Sequence, residues 1–238
     1  MKRFLLSIIA LAAFTLAGRA AEFFSTEDTP YLFNIGVRAG VNTSNRTLSN
    51  DSWGGYNFQS WGTGFNAGVV ADINIKDYLA IQPGVFFESR SGHSSFVQYY
   101  FNETGDTRYV TQIAHRNSYY LNIPVLASMR FNISDYLRWH VDFGPYMGFK
   151  LKSKMKNLEL ISTATDIDNK VPFTANASGF DFGLKMGMGL EISRHIYFGI
   201  HYEAGMINAY GRQDLGAGFY QSYGGRTKAW TFTAGWNF

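Results

Sequence analysis

The chain has 238 residues, no Cys, 25 Gly, only 5 Pro, 17% aromatic residues and a formal net charge of +3. The missing Cys excludes a disulfide framework, a Cys-based zinc site and a Cys nucleophile. The mild charge, without Lys and Arg clustered among aromatics, gives no reason to expect a nucleic-acid partner. Hydrophobic residues reach 46%, yet the mean hydropathy is slightly negative. Apolar and polar residues must therefore be interleaved, as strands with a period of two require.

The chain opens with a targeting pattern. Lys2 and Arg3 form a positive start, residues 4–16 an apolar run, and Gly18-Arg19-Ala20 a small-residue cleavage site. Residues 1–20 are expected to be a secretory signal cut after Ala20, leaving 21–238 as one domain. The apolar run is too short to span a bilayer as a helix, and no later stretch approaches the roughly 20 apolar residues that a helix needs. If the mature chain sits in a membrane, it crosses as a barrel.

Alternation then recurs about eight times. Over 31–42 the odd positions are Tyr31, Phe33, Ile35, Val37, Ala39 and Val41, opposite Asn34, Arg38 and Asn42. Over 61–75 and 79–88 the apolar face is opposed by Asn66, Asp72, Asn74, Gln82 and Glu88. Over 118–131 it is opposed by Asn122, Ser128 and Arg130, and over 139–151 by His140, Asp142 and Lys150. Over 180–192 it is opposed by Asp181, Lys185 and Glu191, and over 196–206 by Tyr197, His201 and Glu203. The last strand sets Trp230, Phe232, Ala234, Trp236 and Phe238 against Thr231, Thr233 and Asn237.

One face is thus nearly free of charge, while the other carries Arg38, Asp72, Glu88, Arg130, Asp142, Lys150, Asp181, Lys185, Glu191 and Glu203. A soluble barrel also alternates, with its apolar face inside. Eight strands enclose too narrow a space for so many Phe, Trp, Tyr and Met side chains. The small and charged face therefore belongs inside and the bulky face against lipid. The expected fold is all-β, an eight-stranded antiparallel up-and-down transmembrane barrel in the outer membrane of a Gram-negative cell. Its lumen is read as a salt-bridged structural plug, with an ion or proton path as the sharper alternative. Aromatics near strand ends, such as Tyr31, Tyr119, Trp139, Trp230 and Trp236, are expected in the interfacial girdles.

Three tight connections resemble one another: Ile75-Lys76-Asp77-Tyr78-Leu79, Ile133-Ser134-Asp135-Tyr136-Leu137 and Ile192-Ser193-Arg194-His195-Ile196. Long connections alternate with them at 43–60, 90–117, 152–178 and 207–226. Short turns at one end and long loops at the other is the asymmetry of outer-membrane barrels, with turns and both termini periplasmic.

The ordered set of strand motifs resembles the PorT-like outer-membrane β-barrel family. The features that carry it are Tyr120-Leu121-Asn122-Ile123-Pro124-Val125-Leu126 leading to Arg130-Phe131, and Asp142-Phe143-Gly144-Pro145-Tyr146-Met147-Gly148. Phe180-Asp181-Phe182-Gly183-Leu184 with Gly187 and Gly189, then Tyr202-Glu203-Ala204-Gly205-Met206-Ile207-Asn208 and the terminal Phe238, complete it. The resemblance covers residues 33–238. It implies an outer-membrane barrel and, through the founding member, a link to type IX secretion. Phe238 also looks like the terminal signal read by the barrel-assembly machinery.

Candidate chemistry is sparse. His140 and His201 share a face with Asp142 and Glu203, but no Gly-x-Ser-x-Gly elbow or His-Glu-x-x-His pair is present. The acidic run Asp166-Ile167-Asp168-Asn169 lacks the spacing of an EF-hand loop. Neither catalysis nor a cofactor or metal is expected. Lys150, Lys152, Lys154 and Lys156 form an alternating comb where a strand leaves the membrane. Extended, they would share one face and could meet lipopolysaccharide phosphates; an ordinary solvated strand extension is the alternative. Tyr99, Tyr100, Phe101, Tyr210, Phe219 and Tyr223 are candidates for an external binding surface or for packing within the loops. The sequence thus supports a barrel with a structural or binding role, in contact with outer-membrane lipid, lipopolysaccharide and the assembly machinery. Two alternatives are an accessory part of a secretion machine with an envelope protein partner, and an outer-membrane hydrolase.

Overall fold

The computed structural model describes residues 23–29, 31–48, 57–101, 107–162, 178–208, 213–214, 220–221 and 225–238. Ten strands follow in chain order: β1 (Phe33–Leu48), β2 (Asn57–Lys76), β3 (Leu79–Phe101), β4 (Thr107–Ser134), β5 (Leu137–Ser162), β6 (Phe180–Ile192), β7 (Ile196–Gly205), β8 (Gln213–Asp214), β9 (Tyr220–Gln221) and β10 (Gly225–Asn237). Eight of them close a barrel in the order β1-β10-β7-β6-β5-β4-β3-β2, while β8 and β9 form a separate ribbon. The first and last barrel strands seal it, from Gly36 opposite Asn237 to Leu48 opposite Gly225. Closure pairs every wall strand on both sides, which is what lipid demands of a backbone.

The ladder runs from Trp230 through Tyr202, Met186, Phe143, Ala127, Ile81 and Ile73 to Phe33. The direct β1 partner of Trp230 is instead Thr43, ten residues further along β1. That stagger goes with strands tilted by about 40°.

The two faces divide as the alternation requires. Val37, Phe65, Val85, Phe143, Met188, Phe198, Trp230, Phe232 and Trp236 are exposed on the outer wall. Arg38, Asp72, Glu88, Asp142 and Glu203 are buried inside. The inner face is not only small and charged, however. Phe86, Tyr120, Tyr146 and Tyr197 are also buried there. Their rings lie where inner glycines leave holes. A Cβ on Gly189 would sit 2.6 Å from the Tyr197 ring, and one on Gly199 would sit 2.5 Å from its hydroxyl. Gly68 makes the same room for Phe86 at 2.6 Å. Much of the glycine in these strands therefore shapes the lumen.

The tight turns lie where the sequence places them. Ser193 and Arg194 have φ of 51° and 63°, and the His195 amide donates to the Ile192 carbonyl at 3.1 Å. Two successive left-handed residues give the primed turn that suits the twist of paired strands. The long connections are a correction. Pairing continues through most of 90–117, with Gly92 opposite Arg116 and Phe101 opposite Thr107. It also reaches Val110 opposite Ser162 on β4 and β5, and Asn57 opposite Phe96 on β2 and β3. Beyond the bilayer neither face meets lipid, so the apolar alternation fades while the backbone ladder persists.

At the turn end, the N-terminal segment crosses under the β2–β3 turn. Phe23 stacks on Phe131 with centroids 5.2 Å apart, and Phe24 lies 4.4 Å from Tyr78. The Asp77 amide donates to the Glu27 carbonyl at 3.1 Å, and the Lys76 ammonium meets Asp28 at 2.6 Å. The signal segment 1–20 with Ala20, the run Asp166–Asn169, and Tyr210, Phe219 and Tyr223 lie outside the described residues.

Candidate functional site

Among the described residues, chemistry-bearing side chains from many strands converge in the lumen. Its centre is Arg90, on β3. The Arg90 guanidinium donates to Glu88 at 2.9 Å, to Asp181 at 2.7 Å and to Glu203 at 2.7 Å. Lys185 adds a bond to Glu203 at 2.9 Å, and Asn122 donates to both Glu88 and Glu203 at 2.9 and 3.0 Å. The guanidinium also lies over the Tyr120 and Tyr146 rings, 5.0 and 5.6 Å from their centroids. Three carboxylates, two cations and two rings from five strands thus fill one cross-section. Each charge is buried, and such a cluster is stable only because it is mutually satisfied; removing one partner of a buried pair costs about 3–5 kcal/mol.

Toward the turns the polar groups form a looser chain. The Tyr197 hydroxyl donates to Asp142 at 3.2 Å, and His201 Nε2 lies 3.0 Å from the same carboxylate. Arg38 stacks over the Tyr197 ring at 4.1 Å and donates to Asn237 at 2.6 Å, which in turn donates to Glu191 at 2.8 Å. Arg130 meets Asp72 at 2.8 Å and Asn74 at 2.6 Å, and Arg138 meets Asp77 at 2.6 Å. Arg130, Arg138, Glu191, Arg194 and His195 then line a cavity of about 440 Å³ at the turn end.

Nine of the ten inner charges named from the sequence are buried in this lumen: Arg38, Asp72, Glu88, Arg130, Asp142, Asp181, Lys185, Glu191 and Glu203. Lys150 is half-buried near its outer end. Phe238 is exposed beside the turn-end cavity. Sequence reasoning misses Arg90, because the alternation is followed only to Glu88 and 90–117 is read as a long connection. Arg90 nevertheless keeps the even parity of Gln82 and Glu88, and that is the available signal. Arg138 escapes because it stands next to the β4–β5 turn.

The lysine comb needs correction too. Tyr120 pairs with Lys150 but Tyr119 pairs with Lys152, so Leu151 has no partner and forms a bulge. A bulge of one residue exchanges the two faces beyond it. Lys150 keeps the lumen face, whereas Lys152 and Lys154 move to the outer face. The Ser153 hydroxyl agrees with the exchange, 2.9 Å from that of the buried Ser118. The side chains of Lys156, His93, Tyr99, Tyr100 and Phe101 lie outside the described residues.

Among the described residues, one serine–histidine–carboxylate alignment is formed by Ser128, His140 and Glu191. Ser128 Oγ is 3.5 Å from His140 Nδ1, and His140 Nε2 is 3.6 Å from Glu191. Both separations exceed the reach of an activated nucleophile. Ser128 and His140 are buried and neither lines the turn-end cavity. Among the described residues, no group of three His, Asp or Glu side chains is arranged to hold a metal ion.

The chain matches the model of a family described as "Outer membrane protein beta-barrel domain" over residues 25–211. Among solved structures, it is similar to the attachment invasion locus protein Ail of Yersinia pestis, at 15% identity over 87% of this chain and 100% of that one, with a TM-score of 0.35. It is also similar to the outer membrane protein OprG of Pseudomonas aeruginosa, at 9% identity over 92% and 99% of the two chains, with a TM-score of 0.44. Neisserial surface protein A gives 10% identity, 86% and 97% coverage and a TM-score of 0.38. No curated protein matches the chain.

Proposed function

The chain belongs to the outer membrane protein beta-barrel domain family, and on that footing we propose that it is a closed, non-catalytic platform holding a β-sheet outside the cell for binding. The observation that carries this reading is the length of three strands. β3, β4 and β5 have 23, 28 and 26 residues, where a bilayer needs about 9–11 per tilted strand. The excess lies on the side away from the tight turns, as one continuous ladder. The Arg90 cluster beneath it supports a lumen that is plugged and does not conduct.

Several finer elements belong to the same reading. Residues 1–20 serve as the export signal, and Phe238 as the terminal mark for barrel assembly. The lumen charges act as a structural plug, and the outer wall contacts lipid and lipopolysaccharide. The PorT-like resemblance leaves a second role open, in which the protein serves a secretion machine through its periplasmic end. The turn-end cavity and its arginines favour such a partner. The hydrolase reading is disfavoured, since Ser128 and His140 are buried and neither lines the turn-end cavity.

Crosslinking from each end separates the two roles. The chain has no Cys, so single cysteines carrying a photo-crosslinker are unique reporters. Placed at Tyr100 or Arg108 they stand on the outward extension; placed at Asp135 or Ser193 they stand at the turns. The platform reading expects adducts to macromolecules from the first pair. Adducts from the turn positions alone would overturn it in favour of an envelope machine.

A further inference from the structure

The exchange of faces at Leu151 reaches the outer edge of the membrane. Beyond the bulge, Lys152 pairs with Tyr119 and Lys154 with Asn117. Cross-strand partners share a face. The Tyr119 ring stacks on the lipid-facing Phe87, with centroids 5.7 Å apart. Lys152 and Lys154 are exposed, and they therefore stand on the outer wall directly above an aromatic girdle.

A second pair stands at the other side of the short strands. On β10 the outward residue Trp230 packs on Tyr202 at 4.8 Å. Lys228 and Arg226 follow two and four residues further out on the same face, opposite Asn45 and Thr47 of β1. Between the two pairs, β6 and β7 have only 13 and 10 residues, so the rim dips between basic shoulders. With strands tilted by about 40° and a rise of about 3.3 Å per residue, Lys152 and Arg226 come to nearly the same height.

Among residues whose side chains the structure describes, no Asp or Glu shares this face. The carboxylates lie in the lumen, at the turns or in the N-terminal segment. The described charge just above the outer girdle is thus of one sign, on long side chains that reach along an apolar wall to a polar layer. Phosphates of the outer leaflet lie in that layer.

We infer that Lys152, Lys154, Arg226 and Lys228 form a binding site, on the lipid side of the barrel, for the phosphates of a phosphorylated glycolipid of the outer leaflet. The site rests on the outward orientation of the long strands, which the proposed function also uses, but it needs no ligand for the extension itself. A basic residue near an anionic membrane surface contributes about 1 kcal/mol, or about fivefold in affinity.

The test uses the full chain purified in detergent, with native mass spectrometry to follow binding of lipid A. Each of the variants K152Q/K154Q and R226Q/K228Q should weaken binding by about 25-fold, and K152R/K154R should restore it. The boiling-dependent gel shift reports that each variant is folded. Unchanged binding in both glutamine variants would overturn the site. Equal binding of dephosphorylated lipid A would overturn phosphate recognition, and equal competition by soluble polyphosphate would overturn the lipid as its source. Protease added to intact cells tests orientation separately: cleavage in the strand extensions leaves the site to stand or fall on the binding data. Protection of the extensions together with cleavage at the turns would overturn both readings at once.

Discussion

Toward the outer end of the lumen, Arg90 draws Glu88, Asp181 and Glu203 into a cross-section already filled by Tyr120 and Tyr146. Toward the turns, Arg130, Arg138 and Glu191 border a cavity of about 440 Å³. The two regions use the same residue types. They differ in how many carboxylates each cation meets closely and in whether rings occupy the space between them. Arg90 has three carboxylates and two rings. Arg138 has one close carboxylate, Asp77 at 2.6 Å, with Asn132 at 3.0 Å and Glu191 only at 3.7 Å, next to open space. Charge alone therefore does not close a barrel. Closure needs multivalent pairing with large side chains seated in glycine holes.

Arg90→Ala should have the largest effect, because it takes one shared cation from three buried carboxylates at once. Loss of at least about 3–5 kcal/mol is expected, read as a lower urea midpoint or a lost gel shift in detergent. Arg138→Ala should cost clearly less, about 2 kcal/mol, since Asp77 can be hydrated from the cavity. Equal losses for the two would break the comparison. Gly199→Val should cost about 1–3 kcal/mol by driving its side chain against Tyr197, with Gly199→Ala milder in the same unfolding measurement.

The smallest effect lies at the N-terminal segment. Hydrogen bonding to Lys76 holds the Asp28 carboxyl below its ordinary value, and Asp28 in turn raises Lys76. A depressed carboxyl contributes above its unfolded value and loses that contribution as pH falls through the folded one. The raised ammonium contributes below its unfolded value and loses it as pH rises through the folded one. Protease should therefore release the segment more readily at strongly acidic and strongly alkaline pH than near neutrality. Asp28→Asn should flatten that profile, with the barrel unaffected.

The wall is legible in the sequence because lipid forces one face of every strand to be apolar; Val37, Phe65, Phe143 and Ile200 mark it without ambiguity. The inward assignment of Asp142 or Glu203 follows from parity alone. What lies beyond the bilayer is not legible, since water on both sides removes the alternation. That is why 90–117 reads as a loop although Gly92 pairs with Arg116, and why Arg90 escapes notice. The bulge at Leu151 is equally hidden, for a one-residue offset leaves Lys150-Leu151-Lys152 alternating in sequence while it exchanges faces in space. The parity that puts Glu203 inside puts Tyr197 there as well, whereas the inward ring of Tyr146 is obscured by a simple rule that bulky residues face lipid. The neighbouring glycines, Gly183 for Tyr146 and Gly189 for Tyr197, become informative only once the pairing register is known.

Closure of the barrel by the Arg90 cluster is tested most directly by conductance in planar bilayers. The purified full chain, inserted at neutral pH, should show no discrete current steps. A folded Arg90→Ser variant should show them, with the cross-section opened. Steady ohmic conductance of the unaltered protein would contradict the account, because an ion path would then run past three carboxylates that the structure holds against one guanidinium.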